Sequence, residues 1–168
     1  MNKEKNSYFD DKKLYDLIFQ DDFKKVVDFL DKYGLNSRDR DDATFLMSCV
    51  VEDKIDFVKK LIELGVDINL QSSNGFTALH FAAQENKKEI FDLLLSQNNI
   101  KIDIKDNWGN TTLLRLVEEE DEKNIELIKK LINKGASLDI ENNYGVSPRI
   151  AMHEITDEGI VDYSPFLE

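Results

Sequence analysis

The sequence has little of what forms disulfides, linkers or membrane spans. Among 168 residues there are one Cys, two Pro and seven Gly. Cys49 has no second cysteine to pair with and is expected to pack as a small buried hydrophobe, and so few Pro and Gly leave no flexible linker. No apolar run is long enough to span a bilayer, and residues 1–6 lack the apolar core of a secretion signal. These absences predict a single cytoplasmic domain.

Patterns typical of catalysis or cofactor binding are also missing. The chain has two His, and no Ser, Cys or Thr stands beside a base in a pattern that predicts a nucleophile. Neither Gly-x-x-x-x-Gly-Lys nor Gly-x-Gly-x-x-Gly occurs, so no phosphate-binding loop is predicted. The many carboxylates follow helix exteriors and turns. We therefore expect no enzymatic activity, no cofactor and no metal.

The charge is strongly one-sided. Lys and Arg total 22 and Asp and Glu total 34, which gives a formal net charge of −12. Phosphate backbones need the opposite sign, so nucleic acid is not an expected partner, and nothing predicts a membrane contact. An acidic surface attracts basic proteins, and the rate of that association falls with salt. The expected partner is a basic protein, and the free chain is expected to be a monomer.

A repeat is the main positive feature of the sequence. Two sets of residues return at nearly constant spacing: Thr44, Thr77 and Thr111, and Gly75, Gly109 and Gly145. The steps are 33 and 34 residues in the first set and 34 and 36 in the second. Residues 55–67 also align with residues 125–137, with apolar positions at helical spacing in both. A period of about 33 residues predicts a helical solenoid.

The residues at the expected helix ends support this pattern. The three threonines and Ser147, which precedes Pro148, are predicted N-caps of the first helix in each unit. Gly34, Gly65 and Gly135 are predicted to end the second helices in the left-handed conformation. Asn98 stands where the third unit would have that glycine, and it is expected to adopt the same conformation.

The segment Thr77-Ala78-Leu79-His80-Phe81-Ala82-Ala83 shows which family the repeat is similar to. It resembles the ankyrin-repeat family, best over residues 72–103, and the resemblance covers nearly the whole chain. It implies an all-α solenoid of helix-turn-helix units joined by β-hairpin-like loops. It also implies that His80 makes a structural hydrogen bond near Thr77 and is not a catalytic residue.

The aligned units give expected boundaries for one repeat domain over residues 1–168. They are an N-terminal capping repeat at about 8–40, repeats at 41–71, 72–105 and 106–141, and a truncated C-terminal cap with an acidic tail at 142–168. The repeat at 106–141 has three extra residues between its helices, at or near Glu118–Glu122. This acidic run, like the tail, is interpreted either as a solvated segment or as a contact for a basic partner.

Family members usually bind proteins through hairpin tips and exposed first-helix positions, which line a concave groove. Trp108 and Tyr144 occupy the same tip position before glycine, and large aromatic residues often dominate binding energy. The alternative for Trp108 is that it folds back onto the neighbouring hairpin. The predicted protein-binding residues are Asp41, Glu52, Asn74, Phe76, Glu85, Asn107, Trp108, Asn110, Glu118, Glu119, Tyr144 and Glu154.

Together these features predict a non-catalytic protein-binding module. One form of the hypothesis is a bacterial immunity or antitoxin-like protein that neutralises a basic toxin with its acidic concave face. The other form is an adaptor or effector that binds a cellular or host protein. A steep salt dependence of binding would favour the first form.

Overall fold

The computed structural model describes residues 16–20 and 22–167, and this part of the chain is helical. The helices are α1 (Phe23–Tyr33), α2 (Phe45–Val51), α3 (Ile55–Glu63), α4 (Ala78–Gln84), α5 (Lys88–Leu95), α6 (Thr112–Glu118), α7 (Ile125–Asn133) and α8 (Pro148–Asp157). Residues 16–19 are also helical, and short 3₁₀ turns cover Glu122–Asn124 and Ser164–Phe166. The described ranges contain no β-strand, only one isolated bridge between Arg38 and Thr44. The all-α prediction is confirmed.

The first helices α2, α4, α6 and α8 begin where the sequence predicted. Thr44, Thr77, Thr111 and Ser147 each accept a hydrogen bond from the backbone N–H three residues later, at 3.3–3.4 Å. These bonds satisfy amide groups that a helix start leaves without an internal partner. Pro148 occupies the first turn of α8, where its missing N–H costs nothing.

Two layers of helices form the repeat stack. The first helices pack on one another in order, α2 on α4, α4 on α6 and α6 on α8, while α2, α4 and α6 each also pack on the second helix of their own unit. The second helices α3, α5 and α7 are amphipathic: Phe57, Val58 and Leu61 of α3 are buried, and Asp56 and Lys59 are exposed. The hydrophobic core therefore runs continuously between the two layers.

The loops between units stack as a ladder of hairpins. The backbone N–H of Ser73 donates to Asp41 O at 2.8 Å, that of Asn107 to Asn74 O at 3.2 Å, and that of Asn143 to Trp108 O at 3.0 Å. Side chains extend the ladder, since Asn107 Nδ2 also donates to Ser73 O at 2.7 Å. The ladder fixes how far each hairpin tip lies from the next.

The second helices are followed by the predicted glycine, with positive φ, in three units, and the repeat at 72–105 ends its second helix differently. Gly65 and Gly135 follow α3 and α7 with φ of 83° and 99°, and Gly34 follows α1 with φ of 103°. Asn98 has no positive φ, so the expectation for it is wrong. Helix α5 ends at Leu95, and Gln97 Nε2 donates to Leu93 O at 2.9 Å, which satisfies a carbonyl of the last turn without a left-handed residue.

The connection between α6 and α7 is longer than its counterparts. Six residues separate these helices, whereas three separate α2 from α3 and α4 from α5. The added length forms the turn Glu122–Asn124, in which Asn124 is buried and donates to Leu116 O at 3.3 Å and Glu119 Oε2 at 2.8 Å. The predicted division of the chain into repeats stays a prediction, and residues 8–15, 21 and 168 lie outside the described part.

The C-terminal tail is not simply solvated. Its acidic residues Asp157, Glu158 and Asp162 are exposed, but Val161 and Tyr163 are buried, Tyr163 with none of its surface exposed. The Tyr163 N–H donates to Thr156 Oγ1 at 2.9 Å, which holds the tail against α8. In place of a second helix, the tail covers the end of the core. In the same described part, no helix has both the length and the apolar character needed to cross a membrane.

Candidate binding surface at the hairpin tips and first helices

Short polar side chains shape the hairpin tips. Asp39, Asp106 and Asn142 hold the same place in three of the four hairpins, and each accepts two backbone N–H bonds from the residues two and four positions later, at 2.8–3.0 Å. Asp and Asn favour such turns because their side-chain oxygen reaches the following amides. The tips that carry Trp108 and Tyr144 are therefore held in a fixed conformation.

Arg115 links the hairpin of Trp108 to helix α6. Its Nε donates to Asp106 Oδ2, whose side chain is fully buried, and its guanidinium carbon lies 4.5 Å from the ring centroid of Phe76 and 5.2 Å from that of Trp108. A guanidinium stacks well on aromatic faces while its N–H groups bind a carboxylate. Trp108 thus lies against Arg115 and is 43% exposed.

Arg115 is not among the binding residues that the sequence predicted. Its counterparts four residues after the capping threonine are Ser48 in α2 and Phe81 in α4, neither of which is charged. The sequence does show a cation among the buried apolar residues of α6, but this pattern does not say which residue the cation binds. Asp106 is nine residues away in the chain, and only the return of the hairpin onto α6 brings the two together.

A cleft of about 640 Å³ lies between this hairpin, the preceding one and the ends of α4 and α6. We call it the central cleft; it is lined by Asn74, Phe76, Gln84, Trp108, Asn110, Arg115, Glu118 and Glu119. Six of the predicted binding residues are in that set. The structure therefore brings together residues that are up to 45 positions apart in the sequence, from Asn74 to Glu119.

A second cleft of about 390 Å³ adjoins the central cleft. It is lined by Asp39, Asp41, Ala43, Met47, Ser48, Val51, Ser72, Ser73, Asn74 and Phe81. Asn74 belongs to both clefts, so the two lie side by side along the hairpins and first helices. Of the predicted residues, Asp41 and Asn74 line this second cleft.

The remaining predicted residues lie outside both clefts. Tyr144 is the most exposed large apolar residue of the described part, at 75%, while Glu85 and Glu154 are exposed and Glu52 is half-buried. Asn107 is exposed, but its side chain and backbone both bond to the preceding hairpin. Asn107 therefore helps to hold successive hairpins together.

Phe76 and Asn110 were predicted as tip contacts, but both are buried, at 8% and 7% exposure. The Phe76 ring stacks on His80 at 5.5 Å between centroids, and Asn110 Oδ1 accepts a 2.8 Å bond from Asn142 Nδ2. They form the floor of the central cleft and support the exposed residues around it. The sequence identified the loops that carry Phe76 and Asn110 but not that both residues are buried.

The carboxylates of α6 give the central cleft its charge. Partial burial raises the pKa of Glu118, Arg115 opposes that rise and Asp106 adds to it. No residue of the described chain forms an ion pair with Glu118. Glu119 is different, because Asn124 donates to its Oε2. Glu118 is therefore an exposed carboxylate that lies within reach of the Arg115 charge but forms no ion pair within the described part.

Two buried groups with strongly shifted pKa values, His80 and Cys49, lie outside both clefts. His80 Nδ1 lies 3.2 Å from Thr77 N and 2.8 Å from Thr77 Oγ1, as the resemblance implied, and burial lowers the pKa of His80 to about 4. Burial likewise raises the pKa of the Cys49 thiol. Within residues 16–20 and 22–167, no group of three or more His, Cys, Asp or Glu is placed to hold a metal ion.

Comparison with known proteins supports the repeat architecture. A profile for ankyrin repeats in three copies matches residues 14–106 and 46–144. The chain is 32% identical over 123 residues to serine/threonine-protein kinase 12 of Arabidopsis thaliana, which is 73% of this chain and 24% of the kinase. It is 27% identical over 137 residues to an ankyrin repeat protein of Fowlpox virus (strain NVSL), covering 81% of this chain and 18% of that protein.

A channel protein has a similar segment. Human transient receptor potential cation channel subfamily A member 1 is 28% identical over 135 residues, which cover 80% of this chain and 11% of the channel. The chain thus spans a quarter or less of the length of these three relatives. Their shared segment is the repeat array, so the kinase and channel activities named for the relatives do not follow for this chain.

Proposed function

Because the chain belongs to the ankyrin-repeat family, whose repeats indicate a protein–protein interaction module, we propose that it binds a basic protein through the central cleft and the adjacent hairpin tips. The observation that carries this proposal is the position of Trp108, exposed and held beside the carboxylates of Glu118 and Glu119. The ankyrin fold is typically non-catalytic, and the kinase relative matches over only 24% of its length.

The chemistry of the surface favours a cationic partner. Trp and Tyr provide large apolar area with a polar group, and their ring faces attract ammonium and guanidinium groups. Carboxylates beside them supply charge-assisted hydrogen bonds to the same groups. With a net charge of −12, the whole molecule also attracts a basic protein before contact, which accelerates association at low salt.

Two finer forms of this function remain proposals. In the first, the partner is a basic toxin such as a nuclease and the chain is an immunity or antitoxin-like protein. In the second, the chain is an adaptor or effector for a cellular or host protein. Capture of the partner at low salt from an extract of the source organism, identified by mass spectrometry, separates them. A basic protein that is toxic when expressed alone supports the first form, whereas a neutral or acidic partner supports the second.

Replacement of Trp108 and Tyr144 by Ala tests the surface itself. Both side chains are exposed, at 43% and 75%, so the double variant should fold. We expect it to bind the captured partner at least about tenfold more weakly, because buried aromatic anchors are typically worth about 2 kcal/mol or more each. The dissociation constant, measured by titration calorimetry at fixed salt, gives the result.

The matched control is Leu64→Ala, which removes an apolar side chain that is 40% exposed and lies outside both clefts. We expect this variant to bind like the unaltered protein. If the Trp108 and Tyr144 double variant also kept full affinity, the hairpin tips would not be the binding surface and the proposal would be wrong.

A further inference from the structure

The central cleft already contains a stacked guanidinium of its own. Arg115 lies against both aromatic rings of the cleft, Phe76 and Trp108, and its Nε is bound to the buried Asp106. An arginine from a partner would meet aromatic faces that a like-charged, planar group occupies. The position that Arg115 leaves open in the cleft is beside Glu118, three residues later on α6.

The groups around that position suit a compact cation with several donors. Glu118 is a carboxylate without an ion-pair partner in the described chain, and the amides of Asn74 and Gln84 line the same cleft. The two oxygens of one carboxylate can also bind a guanidinium side by side, so Glu118 alone does not select lysine. An ammonium group has three donors that point in different directions, so it can bind the Glu118 carboxylate and the amide oxygens that line the cleft at the same time.

The charge balance of the cleft points in the same direction. Arg115 is the one cation among its lining residues, and Asp106 already neutralises it, so Glu118 and Glu119 leave the cleft negative. Glu118 and Glu119 are both exposed, so the side chain of a partner can reach them. A cation placed beside Glu118 would gain a charge interaction that no ion pair of the described part already supplies.

We propose that the central cleft receives a lysine side chain of the basic partner, with Glu118 as the counter-ion and the exposed part of Trp108 as the wall. This inference rests on the proposed function and specifies its chemistry at one position. It assigns Arg115 the role of covering one face of each ring, so a partner arginine cannot stack on those faces.

The test uses the full chain and end-capped oligolysine, oligoarginine and oligoglutamate peptides of equal length. Trp108 is the single tryptophan, so its fluorescence reports on this cleft alone. We expect oligolysine to change the fluorescence and to bind more tightly than oligoarginine. Glu118→Gln should weaken oligolysine binding by about fivefold or more, while Glu63→Gln, the same charge change at an exposed position of α3, should weaken it less than about twofold.

Several results would overturn the inference. Equal weakening by Glu118→Gln and Glu63→Gln would mean that oligolysine binding depends only on the net charge of the protein. If oligolysine bound without changing the Trp108 fluorescence, its binding site would lie outside the central cleft. Tighter binding of oligoarginine would reverse the selectivity, and tighter binding of oligoglutamate would make Arg115 the receptor. None of these results would contradict the proposed function if the captured partner still depended on Trp108 and Tyr144.

Discussion

Single buried polar residues determine how the binding surface is shaped. Asp106 has a fully buried side chain that accepts bonds from Trp108 N, Asn110 N and Arg115 Nε. Burial of a charge is costly unless it is paired and hydrogen-bonded, and here both conditions are met. The same carboxylate that closes the turn thus also positions the cation on which Trp108 rests.

His80 makes the stability of the fold depend on pH. Burial lowers its pKa to about 4, and the Asp106 carboxylate offsets this only in part. As pH falls below about 6.5, the unfolded chain binds a proton that the folded chain accepts only near pH 4, so the free energy of unfolding decreases over this window, by up to about 3 kcal/mol. Urea unfolding at about pH 7, 5.5 and 4.5 measures the loss.

Two variants identify the group responsible for this pH dependence. His80→Gln should be less stable at neutral pH but should lose most of the decline between about pH 6.5 and 4.5. His153→Gln, at an exposed position of α8, should keep it. A decline of the same size in His80→Gln would show that other groups cause it.

The sequence predicts the role of a single residue correctly where that residue acts on its immediate neighbours in the chain. Thr77 caps a helix that begins one residue later, and its bonds depend only on that helix turn. The sequence did not predict the burial of Phe76 or the contacts of Arg115, because these depend on residues from another hairpin or another unit. Exposure is decided by such neighbours, so the sequence could name Trp108 and Phe76 as aromatic tip residues but could not tell the exposed one from the buried one.

At the scale of elements, the hairpin glycines adopt a positive φ, and two of them also lie very close to the backbone of the next hairpin. Gly75, Gly109 and Gly145 all have φ near 80°, which residues with a Cβ adopt at a cost. A Cβ on Gly75 would lie 2.7 Å from Asn107 N, and one on Gly109 would lie 2.6 Å from Asn143 N. A Cβ on Gly145 would meet nothing within 4 Å.

Alanine variants of these three glycines separate the cost of the backbone conformation from the cost of the close approach between hairpins. Gly145→Ala should cost about 1–2 kcal/mol of stability through backbone conformation alone. Gly109→Ala should cost at least about 1 kcal/mol more, because the added methyl forces the next hairpin away and disturbs the Asn143 N–H bond to Trp108 O. Denaturant unfolding of both variants provides the comparison, with Gly75→Ala expected to resemble Gly109→Ala.

An equal cost for Gly109→Ala and Gly145→Ala would contradict the close approach. It would mean that the hairpins separate without loss, so that the ladder contributes little to stability. The sequence indicated the turns through the regular glycine spacing, but the contact with Asn143 follows only from how successive units are placed.

At the scale of the whole molecule, stability depends on neighbouring units that bury each other's first helices. Leu79 of α4 is 1% exposed and belongs to the core shared with α2 and α6. The ion pair between second helices that joins Lys88 to Glu126 at 2.9 Å is exposed at both partners and contributes little. The apolar contacts between units therefore provide most of the stability of the repeat stack.

Leu79→Asp should unfold the stack. It places a carboxylate without a partner between units, a type of change that costs more than about 4 kcal/mol and exceeds much of the stability of an ordinary domain. Far-UV circular dichroism should show loss of helix or a large fall in the melting temperature. Leu64→Asp, at a residue that is 40% exposed, should leave the melting curve almost unchanged. A normal melt for Leu79→Asp would contradict the central position of α4.

The sequence by itself determined the repeat period, the helix starts and most helix ends, because caps, glycines and apolar spacing act over a few residues. It also determined the negative charge of the molecule, which is a sum over residues and needs no structure. Only the tertiary structure decided which tip residues are exposed, that Arg115 occupies the aromatic faces, and that Glu118 has no counter-ion. Those properties depend on distances between units, and such distances arise when side chains from different repeats pack together.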